Sequence, residues 1–162
     1  MKRAEGYILP ASLPAVRRVD FMPENVVFHF DVDGEDFSSA GGASVTVKKK
    51  LRQIGSAQEY IRRVAIALYE GEINMVIHAN GGTADVIVSD TEIKIVLKDT
   101  GPGIPDVSLA MQEGYSTARD HIRSLGFGAG MGLPNMKKYT DTMEIDTELG
   151  RGTTITMTVR IA

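Results

Sequence analysis

Apolar and polar residues alternate strictly along Val26–Val32. Val26, Phe28, Phe30 and Val32 share one parity, and Val27, His29 and Asp31 take the other. Such alternation predicts a strand with one buried face. The period then changes. Val45, Val47, Leu51 and Ile54 predict the apolar stripe of a helix over 36–54, with Asp36 or Ser38 as its cap and Gly55 as its stop. A second helix carries a stronger pattern. Ile61, Val64, Ala65 and Leu68 follow i, i+3, i+4, i+7, and Ile73, Val76 and Ile77 extend the stripe as far as the Asn80-Gly81-Gly82 turn.

Two strands are expected next, over 85–89 and 92–99, joined by a tight turn at Asp90-Thr91. A glycine-rich stretch follows, with a short helix over 107–112. A helix over 133–139 and a hairpin of 142–147 with 153–161 complete the chain. This order predicts an α+β fold: a two-layer α/β sandwich with a mixed sheet and the helices on one face.

Composition narrows the class. A chain of 162 residues, 43% apolar, suits one domain with one core. Residues 1–25 contain Pro10, Pro14 and Pro23 and lack clean periodicity. They read as an irregular lead-in, and 26–162 as the folded domain. A net charge of −3 speaks against nucleic acid as a partner. The absence of cysteine excludes disulfides and thiolate metal sites. The N-terminus lacks the apolar core of a signal peptide, and no apolar run approaches the ~20 residues of a membrane span. A cytoplasmic protein with no membrane contact is expected.

Three places draw attention for chemistry. Asp99 shares the parity of Ile93, Ile95 and Leu97, so a carboxylate falls on the core face at a strand end. An unpaired buried carboxylate is costly, so Asp99 needs a donor. It either caps the Thr-Gly-Pro-Gly turn that follows or accepts from a ligand; position alone does not separate the two. Thr153 precedes Ile155, Met157 and Val159 on the same parity and could set a hydroxyl beside Asp99. By itself it reads as a β-branched residue opening a strand.

On the second helix Glu70, Asn74 and His78 lie at i, i+4, i+8, along one stripe, with Glu72 elsewhere. An amide oxygen can coordinate a hard cation, and a carboxylate one turn away can accept a proton from a hydroxyl. For a lone pair of this kind a solvated polar face is the better explanation, and the pair gains meaning only with the glycines downstream. Finally, Gly126, Gly128, Gly130 and Gly132 alternate before a helix. Backbone N–H groups running into a helix N-terminus make a phosphate site. The spacing is neither that of a dinucleotide fingerprint nor that of a Walker A loop.

Taken together, four segments in order resemble the histidine-kinase-like ATPases, the superfamily of gyrase, heat-shock chaperone, histidine kinase and mismatch-repair ATP-binding domains. Glu70-Gly-Glu-Ile-Asn74 resembles the N box. Asp99-Thr-Gly-Pro-Gly-Ile104 resembles the first glycine box, Gly128-Ala-Gly-Met-Gly-Leu133 the second, and Gly150-Arg-Gly-Thr-Thr154 the last. The resemblance implies a Bergerat-type ATP-binding fold over roughly 26–161, with ATP and Mg²⁺ as cofactors.

It also implies roles. Asp99 would accept from the adenine N6 amine, with Thr153 supporting that contact through water. Gly101 and Gly103 would let the backbone pass close to the base, with Ile104 beside them. Asn74 would coordinate Mg²⁺, and Glu70 would act as base or orient the nucleophile. Gly128, Gly130, Met131, Gly132 and Leu133 would bind the phosphates as part of a lid, in which Arg119, His121 and Arg123 are candidates for the γ-phosphate.

Within the superfamily, Ala110-Met-Gln-Glu-Gly-Tyr-Ser-Thr-Ala118 followed by Leu125-Gly-Phe-Gly-Ala-Gly-Met-Gly-Leu133 is similar to the small anti-sigma-factor and switch-type serine/threonine kinases. That resemblance implies transfer of the γ-phosphate to a Ser or Thr of a small anti-anti-sigma-type partner. It also implies, for some members, a hold on a sigma factor, and dimers that an exposed first strand could form. Two alternatives stand beside it: a nucleotide-gated binding module without efficient transfer, and a stand-alone histidine-kinase catalytic domain. The latter is least favoured, because no upstream segment resembles a dimerising helix pair with a phosphoacceptor His. Glu70 favours the kinase over the module.

Overall fold

The computed structural model describes residues 25–116, 118 and 130–161. Its elements are β1 Val26–Asp33, α1 Gly42–Gln53, α2 Gln58–His78, β2 Gly81–Val88, β3 Glu92–Asp99, α3 Val107–Ala110, α4 Gly132–Tyr139, β4 Thr142–Glu148 and β5 Gly152–Arg160. The predicted lead-in, apart from Asn25, lies outside the described residues.

The strands form a five-stranded sheet in the order β1-β2-β3-β5-β4. The expected two-layer α+β sandwich is present, but among the described residues the sheet is antiparallel throughout rather than mixed. The reason is the paired connection between β1 and β2. A single crossover helix would leave β2 parallel to β1. Here α1 carries the chain away and α2 brings it back, so Asp33 at the end of β1 pairs with Gly81 at the start of β2. That pairing also extends β2 four residues ahead of the expected start at 85.

Parity decides the core. Ala84, Val86 and Val88, then Ile93, Ile95 and Leu97, then Ile155, Met157 and Val159 are buried on one face. Val47 and Leu51 of α1, Ile61, Val64 and Leu68 of α2, and Met136 of α4 cover them. The opposite face carries His29, Asp31, Asp85 and Lys94 to solvent. There His29 Nδ1 and Asp85 Oδ1 are 2.5 Å apart, and Asp31 lies 3.5 Å from Nε2. The hydrogen bond to Asp85, and then that carboxylate's charge, raise the His29 pKa.

α2 lies close to the sheet because residue 71 is glycine: a methyl group there would collide with the Leu97 side chain. Its other end is tied down by Arg63. The guanidinium donates through Nε to the Tyr139 carbonyl at the end of α4 (3.0 Å) and pairs through Nη2 with Asp141 (3.1 Å). Asp141 also accepts from the Arg160 N–H at 2.7 Å. That N–H, with the Arg63 charge behind it, holds the Asp141 carboxyl below the usual carboxylate range.

The first helix departs from expectation. It starts at Gly42, not 36, and Val45 is 56% exposed. Its buried face is Ala43, Ser44, Val47 and Leu51. Asp36 caps no helix; its Oδ1 accepts from the Ser38 and Ser39 N–H groups and closes a turn. The orphan N–H groups of α1 are satisfied from another element. Glu72 of α2 accepts from Ala43 N at 3.0 Å and Ser44 N at 3.1 Å. Burial raises the Glu72 pKa, and the backbone N–H groups of Ala43, Ser44 and Gly41 oppose that rise. Among the described residues no helix is long and apolar enough to cross a membrane.

Candidate functional site

The site follows the last turns of α2. Glu70 and Asn74 project one turn apart from it, both half-buried. Packed on that stripe is α4, anchored by the buried side chains of Leu133 and Met136. Its first turn touches both residues. The Asn135 side-chain N–H donates to Glu70 Oε1 at 3.1 Å. Asn74 Nδ2 lies 3.9 Å from the Met136 sulfur. Gly132 rests on Asn74 itself: a methyl group at 132 would sit 3.0 Å from Asn74 Oδ1 and 3.1 Å from Nδ2. A methyl group there would make the amide give way by a few tenths of an ångström, so the glycine lets the two segments approach closely. The stripe's third member, His78, is the last residue of α2 and is exposed.

One helical turn further on, α2 meets the first glycine segment. A methyl group at Gly101 would fall 2.7 Å from Ala79 Cα. At 1.5 Å rise per residue, this contact lies ~7 Å along the axis from Asn74. Asp99 ends β3 and pairs in register with Thr153 of β5. Its Oδ1 accepts from Gly101 N at 2.9 Å and from Thr153 N at 3.2 Å. The turn-capping reading of Asp99 therefore holds for one oxygen. Among the described residues, the hydrogen bonds to Asp99 both fall on Oδ1.

Thr153 is buried, and its hydroxyl is 2.9 Å from that of Thr147. Thr147 Oγ1 also accepts from Ile104 N at 2.9 Å. One hydroxyl of β4 thus joins Ile104 of the first glycine segment to the Asp99–Thr153 pair. Gly103, with φ +79°, takes the turn between them. The sequence reading missed Thr147, although the signal was present: Met143, Ile145 and Thr147 share the core parity of β4, as Thr153 does on β5. Glu72 and Asn135 were also missed. Each acts on a partner far away in sequence, and no local spacing announces that.

From the second glycine segment, Gly130, Met131, Gly132 and Leu133 are described. Gly130 O accepts from Gly114 N at 3.0 Å, which returns the chain to 114, and Met131 opens α4. Gly128, Arg119, His121 and Arg123 lie outside the described residues. A separate cavity of about 380 Å³ lies between α3, the end of α4 and β4, lined by Val107, Met111, Lys137 and Met143 among others. It touches neither Asp99 nor Asn74. The described residues thus bring together the segment 99–104, Thr153, Glu70, Asn74 and the start of α4. Along one helix they offer a carboxylate acceptor at one end, and an amide oxygen with a second carboxylate at the other.

Comparison with known proteins places this arrangement. Residues 60–162 match the family described as histidine kinase-, DNA gyrase B-, and HSP90-like ATPase. An anti-sigma F factor of Clostridium acetobutylicum is 31% identical over 125 residues, 74% of this chain and 84% of that protein. The serine/threonine-protein kinase RsbT of Bacillus subtilis is 33% identical over 97 residues, 57% of this chain and 67% of its own. Among solved structures, the RsbU and RsbW domains of a Mycobacterium tuberculosis protein match with a TM-score of 0.58 at 18% identity, over 83% of this chain and 32% of that one. That likeness shows the fold. The match over 60–162 covers the Glu70–Asn74 stripe, both glycine segments and the Asp99–Thr153 pair, so the chain belongs to the histidine kinase-, DNA gyrase B- and HSP90-like ATPases.

Proposed function

We propose that this chain is an ATP-binding regulator of the anti-sigma type that transfers the γ-phosphate of ATP to a Ser or Thr of a small partner protein. The observation that carries the reading is the meeting of Gly132 with Asn74, beside Glu70. It brings the phosphate-type glycine segment onto a helical stripe that holds both a hard oxygen donor and a carboxylate.

Asp99 Oδ2 takes the adenine N6 amine, with Thr153 and Thr147 behind it. Gly101, Gly103 and Ile104 line the base, and Gly128, Gly130, Met131, Gly132 and Leu133 take the phosphates. Asn74 Oδ1 is the protein ligand for Mg²⁺. Such an ion is commonly held by few protein oxygens together with substrate phosphates and water, so a single amide oxygen fits. Bound there, Mg²⁺ would neutralise charge on the β- and γ-phosphates. Glu70 receives the proton of the attacking hydroxyl. The new oxygen–phosphorus bond forms as the bond from the γ-phosphorus to the bridging oxygen breaks, and ADP leaves with that oxygen.

The partner is a protein of the anti-anti-sigma class, with a sigma factor as a second ligand. The chain works in the cytoplasm. Its β1 edge, which pairs with no second strand among the described residues, is the surface for a homodimer, residues 26–162 are the ATP-binding unit, and 1–25 are a lead-in.

Transfer of radiolabel from [γ-³²P]ATP to a candidate partner, in wild type and Glu70→Ala, tests the reading. We expect wild type to label the partner and the variant to lose most of that activity. Full labelling by the variant would remove Glu70 from the mechanism. A wild type that binds ATP and never transfers it would make the chain a nucleotide-gated module. A wild type that binds no ATP would end the proposal.

A further inference from the structure

Asn135 stands outside every motif that suggested the site, yet it is the residue that holds Glu70. We infer that Asn135 is a positioning residue for the base, an assignment that rests on the kinase reading above. Its side-chain N–H donates to Glu70 Oε1 at 3.1 Å. Asn135 is itself fixed: its backbone N–H closes the first turn of α4 onto the Met131 carbonyl at 2.9 Å. Leu133 and Met136, on either side, are buried against α2.

The chemistry follows from which atom is tied. A glutamate side chain has three rotatable bonds, and an untied carboxylate samples many orientations. With Oε1 engaged by a neutral amide, Oε2 is the oxygen left to take a proton, and its direction is set. An amide N–H donates without accepting, so it does not compete for the substrate proton. A general base must reach its proton within ~2.6–3.2 Å, and small misplacements of a catalytic group are expensive in rate. Asn135 also stands one turn after Gly132, which rests on Asn74. The start of α4 therefore sets the base and the cation ligand together, from a single element.

The test is a double-mutant cycle on ATP turnover with Mg²⁺, using Asn135→Ala, Glu70→Gln and both together. For Asn135→Ala we expect kcat to fall about tenfold, with KM for ATP within about twofold, since orientation and not binding is lost. In the Glu70→Gln background the same change should cost almost nothing further. Asn135→Asp keeps the shape but loses the donor and faces a like charge, so it should be at least as slow as Asn135→Ala. A packing role would spare it.

Unchanged kcat in Asn135→Ala, or an equal loss with and without Glu70, would overturn the assignment. A partner-free arm separates this from the kinase reading. The Asn135 side-chain amide resonance should move in Glu70→Gln, and an unmoved resonance overturns the contact itself. A wild type without turnover but with that shift would leave the contact standing and remove the kinase reading.

Discussion

Thr153 donates its backbone N–H to Asp99 Oδ1, and Gly101 donates to the same oxygen. Two fixed backbone donors thus claim one side of the carboxylate and decide in advance how an amide would sit there. In Asp99→Asn the carbonyl oxygen must face these donors, because an NH₂ group cannot accept from them. The NH₂ then faces the ligand. Against an adenine amine, donor meets donor. ATP affinity should fall by about 10- to 100-fold, the range given by one unsatisfied polar pair. Isothermal titration checks this, and unchanged affinity would remove Asp99 from the adenine site.

Thr147 tests the layer behind that pair. Thr147→Val keeps the shape and removes the hydroxyl that accepts from Ile104 N and meets Thr153 Oγ1. Stability should drop by about 1 kcal/mol, with a several-fold loss of ATP affinity as the 101–104 turn loosens. Denaturant titration and calorimetry read the two effects separately. A variant with full affinity would show that Ile104 needs no tether.

Glu72 makes a contrasting case. Glu72→Ala leaves the Ala43 and Ser44 N–H groups buried and without an acceptor, at a cost of about 1–3 kcal/mol for an unsatisfied buried donor. Nucleotide binding should survive at temperatures where the variant is folded, because Glu72 points at α1 and not along the Glu70–Asn74 stripe. A drop in melting temperature with ATP stoichiometry retained is the expected pair of results. An unshifted melting temperature would mean that water replaces the cap.

His29 predicts a pH effect. Its folded pKa lies above the unfolded value, raised first by the hydrogen bond to Asp85. Protonated His29 therefore favours the folded state. The contribution is fully present below the unfolded pKa of about 6.5 and is lost as pH rises through the raised folded value. Because the ring is exposed, the effect is small and salt-sensitive. Denaturation midpoints of wild type and His29→Gln should differ at pH 6 and converge at high pH. A gap that stays constant with pH would assign it to something other than the charge.

Strand parity carried much of the reading from sequence. It placed Asp99 and Thr153 on the core face before any partner was known, and the register confirms them as neighbours. The same rule would have found Thr147. Helix periodicity succeeded on α2, where the apolar stripe is long. It failed on α1, where Val45 suggested a face that the fold leaves exposed. There a buried carboxylate from α2 decides where the helix begins, and capping by a distant residue has no local signature. The sheet's direction was missed for a related reason. The antiparallel order depends on two helices acting as a there-and-back pair, which element order alone does not reveal.

That there-and-back path has a consequence for how the chain assembles. Because Asp33 and Gly81 are paired, the helix bearing Glu70 and Asn74 lies within a long detour whose entrance and exit touch. β2 and β3 form a hairpin, as do β4 and β5, and the pairing of Asp99 with Thr153 joins the two hairpins across a second long gap. Loop-closure entropy makes both the β1–β2 and the β3–β5 pairings costly to close, and zipping of β1 from the neck at Asp33 toward Val26 is its natural direction. Backbone amides at the Val26 end should then exchange with solvent sooner than those at the neck.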